Sequence, residues 1–181
     1  MRDVSLDIET LGTKPGSIIL SIGAVAFDPE DYNPERLWSG AYYRNISVLS
    51  SIMRGMTMDE ESVKWWVDPE RDAARAAFDS DELSLPDALR EFAGWFGAVP
   101  GGVRHIYAKP PSFDCVLIEG AFRRANVPVP WGFRQPRCVR TVLDWSGFDA
   151  KTVPFNGTKH HALDDAIHQA TVVQMAKAAM R

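Results

Sequence analysis

Three short clusters of carboxylate and imidazole side chains carry the chemistry this chain offers. Val4-Ser5-Leu6-Asp7-Ile8-Glu9 alternates apolar and polar residues, so in a strand Asp7 and Glu9 share one face while Leu6 and Ile8 share the other. Two carboxylates side by side in a largely buried strand repel each other and lose hydration. A divalent cation between them offsets both costs, and oxygen ligands suit Mg²⁺ or Mn²⁺. Two solvated acids at a strand end are the plainer account of this pair taken alone. Asp114, after Phe113, falls in the first turn of a predicted helix, where an acid also simply complements the helix dipole. His160-His161-Ala162-Leu163-Asp164-Asp165-Ala166 opens the last predicted helix, with Gln169 one turn beyond Asp165. Dipole acids and a polar cap explain Asp164 well and the histidine pair less well. A two-histidine-one-carboxylate iron site would need a strand-borne His-x-Asp pair with a distant histidine, and the sequence has none.

Two further features bear on a substrate. Trp65-Trp66 offers aromatic faces for base stacking, worth ~1–3 kcal/mol per base. Consecutive helix positions lie about 100° apart, which predicts one tryptophan in the core and the other toward substrate. Arg123, Arg124, Arg134, Arg137 and Arg140 fall in a stretch, 120–143, that holds no acid. They either guide a phosphate backbone or form a solvated basic face.

The elements that must position these residues read as follows. Strands are predicted over 4–9, 18–27 and 37–46, the last holding Trp38, Tyr42 and Tyr43, and together they make an antiparallel meander. Thr57 caps a helix with Asp59, Glu60 and Glu61 in its first turn, ending near Trp65-Trp66. Asp68-Pro69-Glu70 and Ser84-Leu85-Pro86-Asp87 are further helix starts, the second helix running to about residue 97. A strand over 103–108 and helices over about 112–125, 139–145 and 161–179 complete the chain, with Asn126 as a stop. The order predicts an α/β fold, one mixed central sheet with antiparallel first three strands, flanked by helices.

With 181 residues, 45% of them hydrophobic, the chain fits a single domain, 1–181, and is not disordered. Its net charge of −4 argues against holding nucleic acid by bulk positive charge, though not against a local basic surface. Cys115 and Cys138 are too few for a disulfide framework, and the longest mostly apolar run, 18–27, is too short to span a bilayer. A soluble, cytoplasmic protein with no membrane partner is expected.

Asp-x-Glu on a first strand, Asp on a middle helix and His-x4-Asp on a last helix, in that order, resemble the DEDDh 3′–5′ exonucleases. Asp7-Ile8-Glu9-Thr10-Leu11-Gly12, Phe113-Asp114 and His160 through Asp165 carry the likeness. The blocks 18–29, Val63-Lys64-Trp65-Trp66, 127–131 and Arg137-Cys138-Val139-Arg140-Thr141 are similar to a small phage and bacterial subgroup, some of it exodeoxyribonuclease VIII-like, with exoribonuclease relatives. The resemblance implies a ribonuclease H-like fold and a metal-dependent exonuclease releasing nucleoside 5′-monophosphates from the 3′ end of DNA or RNA. It implies two divalent ions, Mg²⁺ or Mn²⁺, held by Asp7, Glu9, Asp114 and Asp165. His160 is then the general base, since only it has the four-residue gap to Asp165. Thr10, Leu11 and Gly12 would line the terminal-nucleotide pocket, with Trp65, Trp66 and Arg140 also toward substrate. Relatives are often homodimers. Two positions depart from the pattern: Lys109-Pro110-Pro111 precedes Asp114 in place of a more glycine-rich turn, and Cys138 stands where relatives commonly have Asp. Other readings are a non-catalytic nucleic-acid-binding module of the same fold, and a hydrolase of nucleotides or short oligonucleotides.

Overall fold

The computed structural model describes residues 2–31, 37, 40–78 and 81–181. Strands β1 (Arg2–Thr10), β2 (Ile19–Phe27) and β3 (Ala41–Ile46) form the expected antiparallel meander. Strand β5 (Val103–Ala108) pairs in parallel with the other edge of β1, and β6 (Pro136–Cys138) in parallel with β5. A two-residue strand, β4 (Glu82–Leu83), lies parallel to β3, so the order across the sheet is β4-β3-β2-β1-β5-β6. The helices are α1 (Val48–Met53), α2 (Glu60–Val67), α3 (Asp72–Arg75), α4 (Leu85–Gly97), α5 (Asp114–Ala125), α6 (Val139–Ser146) and α7 (Ala162–Ala179).

Alternation along the strands divides the molecule into two layers of packing. Leu6 and Ile8 of β1, with Ile22 and Ala24 of β2, meet Phe92 of α4 and Ile118 and Phe122 of α5 in the larger core. Val25 and Phe27, on the opposite face, meet Tyr107, Val139 of α6 and Ala170 and Val173 of α7. The large core is predominantly aliphatic and aromatic. The second face is where β1 presents its acids. Among the described residues no helix is long and apolar enough to cross a membrane.

Several boundaries differ from the sequence reading. β3 starts at Ala41, and Trp38 lies outside the described residues. The cap of α2 is Asp59, whose carboxylate accepts from Ser62 N at 2.8 Å, rather than Thr57. α5 begins at Asp114, because the carbonyl of Pro110 takes the N–H groups of Phe113 and Asp114 in a turn that precedes the helix. α1, β4 and β6 are absent from the sequence reading. Each is six residues or fewer, too short to display a period.

Candidate active site

The close approach of α7 to the sheet depends on one glycine. Gly23 pairs with Asp7 across β1 and β2, and a Cβ built there would sit 2.1 Å from the Ala162 carbonyl carbon. A side chain at 23 would lift the first turn of α7, and with it Asp165, off the strand. The preceding turn is held by the two residues that lack the family's spacing. His161 is the N-cap of α7, its Nδ1 accepting from Asp164 N at 3.4 Å, and its ring stacks on Tyr43 at 4.4 Å. Asp164 accepts from Thr158 N at 2.8 Å. His160 itself takes a left-handed φ of 64°, and its N–H donates to Asp165 Oδ2 at 2.7 Å. A non-glycine residue in that region is uncommon and persists where its surroundings fix it.

The turn and the helix place His160 and Asp165 opposite the acids of β1. Asp7, Glu9, Asp114, His160, Asp165 and Gln169 line one cleft of about 290 Å³, with Lys109, Phe113 and Arg140 completing its wall. Ligand atoms of Glu9, His160 and Asp165 all lie within 4.8 Å of one another. Gln169 donates to Asp7 Oδ1 at 2.8 Å, while its own Oε1 is buried without a hydrogen-bond partner. Its place one turn after Asp165 was visible in the sequence; its bond to Asp7 was not.

The electrostatics show acids pushed toward their protonated forms by burial and by one another. Burial raises the Asp7 carboxyl well above its ordinary value, and the charges of Asp114, Glu9 and Asp165 push it further. Burial, then Asp165 and Asp114, do the same to Glu9. Burial takes Asp114 up to about 7, against backbone hydrogen bonds at Ile8, Asp114 and Lys109 and the nearby Arg140 charge. Asp165 is raised, again chiefly by burial. His160 moves the other way: burial first, then the charges of Arg71 and Lys159, lower it and favour neutral imidazole. Four mutually repelling carboxylates beside an imidazole that favours its neutral form make an oxygen-rich set that fits a hard divalent cation. The three-residue cluster of Glu9, His160 and Asp165 is a candidate for one such ion.

A second cavity of about 330 Å³ adjoins the first, sharing Ile8, Glu9 and Phe113 with it. Trp65, Trp66, Thr10, Thr13, Asp59 and Ser62 are among its other walls. The two tryptophans divide as their spacing predicts. Trp66 is 5% exposed and donates Nε1–H to the Thr10 carbonyl at 2.9 Å; Trp65 is 37% exposed and meets His160 edge-on at 4.7 Å. Thr10 reaches the cavity, but Leu11 and Gly12 do not line it. Leu11 packs on the core, and Gly12 is pressed against Ser17. The arginine stretch also divides. Arg123 pairs with Glu119 at 3.1 Å and Arg124 donates to the Gly55 carbonyl at 2.9 Å, both on α5, whereas Arg140 lines the cleft. Cys138 occupies the N-cap of α6 and makes no capping hydrogen bond.

Residues 2–177 match the family described as the 3′-5′ exoribonuclease Rv2179c-like domain. The chain belongs to that family. No curated protein matches it in sequence. Solved structures match it in fold. Cell-death related nuclease 4 (CRN-4) has 17% identity and a TM-score of 0.65, covering 97% of this chain, which spans 64% of that one. The nuclease domain of 3′hExo, a DEDDh family member bound to rAMP, has 12% identity and a TM-score of 0.56, covering 98% of this chain and 92% of its own. Pop2p of S. pombe, in a Mg²⁺- and Mn²⁺-bound form, has 12% identity and a TM-score of 0.58, covering 97% of this chain and 82% of its own. The mixed sheet with its antiparallel first strands, flanked by helices, is thus a fold shared with these solved structures and consistent with a ribonuclease H-like architecture. Family membership and the acid cluster together support a metal-dependent nuclease.

Proposed function

We propose that the chain is a 3′–5′ exonuclease that removes nucleoside 5′-monophosphates from the 3′ end of a nucleic acid strand, using two divalent ions and His160 as general base. The observation that carries this reading is the convergence of Asp7, Glu9, Asp114, His160 and Asp165 on one cleft beside an aromatic-walled cavity. The four carboxylates would hold the ions, which supply charge neutralisation at the scissile phosphate and a more acidic attacking water. His160, whose pKa burial and the nearby Arg71 and Lys159 charges lower, would accept a proton from the attacking water, a role worth about 10²–10⁴ in rate. Gln169 fixes the Asp7 carboxylate. Trp65 and Phe113 present aromatic surface to a terminal base, and Thr10 and Thr13 also line that cavity. The family description favours RNA as the substrate class. The proposal keeps the phage and bacterial subgroup that the motif blocks resemble, a single nuclease domain over 1–181 on the length of the chain, a homodimer on the resemblance alone, and a cytoplasmic setting on the sequence reading.

Matched 5′-labelled RNA and DNA oligonucleotides, single-stranded and with 3′ overhangs, test the reading when incubated with Mg²⁺, Mn²⁺ or chelator. The expected result is a ladder shortening from the 3′ end only with metal, faster on RNA. Shortening in chelator, or none with metal, contradicts it. Turnover of mononucleotides or dinucleotides but not of a 20-mer would point instead to a hydrolase of short products.

A further inference from the structure

Arg71 is a cation at the edge of the site whose polar partners, among the described residues, are few. It ends the single turn Pro69–Arg71 that follows α2, and its guanidinium lies over the Trp65 ring, 4.4 Å from the centroid. Trp65 in turn meets the His160 ring edge-on, so one packed row runs from Arg71 to His160. The Arg71 side chain is only 24% exposed, and its Nε is buried with no hydrogen-bond partner. The carboxylate beside it, Glu70, lies 3.5 Å from the terminal nitrogen and is 80% exposed, so water screens that pair and Nε stays unsatisfied. The neighbouring Arg75 is different. Its donors go to the carbonyls of Trp66 and Asp68 and to the Asp72 carboxylate. Arg75 ties the segment together. Arg71 is oriented by stacking instead, and among the described residues its guanidinium has only the solvent-screened Glu70 carboxylate as a polar partner.

We propose that Arg71 is a substrate-phosphate anchor, taking a backbone phosphate next to the scissile one as the strand passes the Trp65–His160 wall. The proposal rests on the exonuclease reading above. A guanidinium presents a planar fork that matches phosphate oxygens, and a ring that holds it in place lowers the entropy lost on binding. Arg71 is part of the wall of neither cavity, which sets it apart from the scissile position and the terminal nucleoside. Lys109 and Arg140 line the acid cleft itself, so a strand entering there would meet cations at the cleft and at Arg71.

The test compares wild type, Arg71→Gln and Arg71→Lys on two substrates. One is a ten-nucleotide single strand; the other is the p-nitrophenyl ester of a nucleoside 5′-monophosphate, whose one phosphodiester is the scissile bond. Glutamine keeps a stem against Trp65 and removes the charge. Arg71→Gln is expected to lose about tenfold or more in kcat/KM on the ten-mer, mostly in KM, and at least about fivefold more than on the ester. Its salt dependence becomes shallower by about 0.7–1 in the log–log slope, and Arg71→Lys recovers part of the loss. Equal losses on both substrates, or no loss on the ten-mer, overturn the anchor. Fluorescence anisotropy of a labelled ten-mer with chelated protein separates the two readings. Weaker binding by Arg71→Gln supports the anchor even if wild type turns nothing over, which would defeat only the exonuclease reading. Equal binding overturns the anchor.

Discussion

The two ends of β1 carry acids on the same face and treat them in opposite ways. Near its start, Asp3 is fully buried and receives two hydrogen bonds from Arg104, Nε to Oδ1 at 3.0 Å and a terminal nitrogen to Oδ2 at 3.1 Å. His105 Nδ1 lies 3.5 Å from the same carboxylate. Near its end, Asp7 and Glu9 face Asp114 and Asp165, and burial with mutual repulsion raises their pKa values. A guanidinium from the chain supplies the charge that Asp3 needs. At the other end the fold gathers four acids and provides, among the described residues, only Lys109 and Arg140 as cations at the cleft wall, both exposed. The difference separates an acid that holds the sheet together from acids arranged to receive a cation from outside.

The largest effect that would break this contrast is on turnover. Asp7→Asn and His160→Ala should each lower exonuclease kcat by about 10²–10⁴, read as product release from a labelled oligonucleotide. Wild-type rates in either variant would remove the catalytic end of the comparison.

Next comes pH. Asp114 has an ordinary value of 3.8 and reaches about 7 in the folded protein, and Asp7, Glu9 and Asp165 shift in the same direction. Between those values the unfolded chain has released protons that the folded chain still holds. The unfolded state therefore binds fewer protons, and stability falls as pH rises. Below pH 3.8 both states are protonated and the contribution is absent; it is fully expressed once pH passes the folded value. Urea denaturation in chelator should show this decline from about pH 4 to beyond pH 7, and Mn²⁺ should flatten it. A flat profile without metal would contradict the unpaired state of these acids.

Asp3→Asn probes the other end. It should cost about 1–3 kcal/mol, by loss of the charge-assisted pair with a half-exposed Arg104, and the cost should be the same with and without Mn²⁺. A metal-dependent cost would mean that the two ends are coupled. The smallest effect is expected at α6, outside both groups. Cys138→Asp supplies the missing N-cap acceptor and should stabilise by about 0.5–1 kcal/mol in denaturant melts.

Much of this contrast was legible in the sequence, because it depends on local periods. Alternation put Asp7 and Glu9 on one face, and the structure has them there beside buried Leu6 and Ile8. The strand 103–108 and the stop at Asn126, which takes a left-handed φ of 57°, were readable for the same reason. The two tryptophans separated as a helix requires. What was not legible depends on contacts distant in sequence. Gly23 reads as one more small residue of a buried strand, and only the approach of Ala162 shows why no side chain fits. Leu11 and Gly12 sit beside a cavity residue yet turn into the core and a tight loop. The five arginines look equivalent along the chain, but Arg123 and Arg124 are bound to partners on α5 and α1's exit loop, and Arg140 alone among them reaches the acids. The pairing of Asp3 with Arg104 spans 101 residues and leaves no local mark.

The central claim is that the cleft acids are assembled for a divalent cation, and thermal melting at pH 8 tests it most directly. Wild type and Asp7→Asn are melted in chelator and in millimolar Mn²⁺. With the ion at about a hundred times its dissociation constant, wild type should gain about 2.7 kcal/mol, which is roughly 5–10 °C. Asp7→Asn, relieved of one buried charge, should start above wild type in chelator and gain less from Mn²⁺. A wild-type melting temperature that is the same in chelator and in Mn²⁺ would contradict the account.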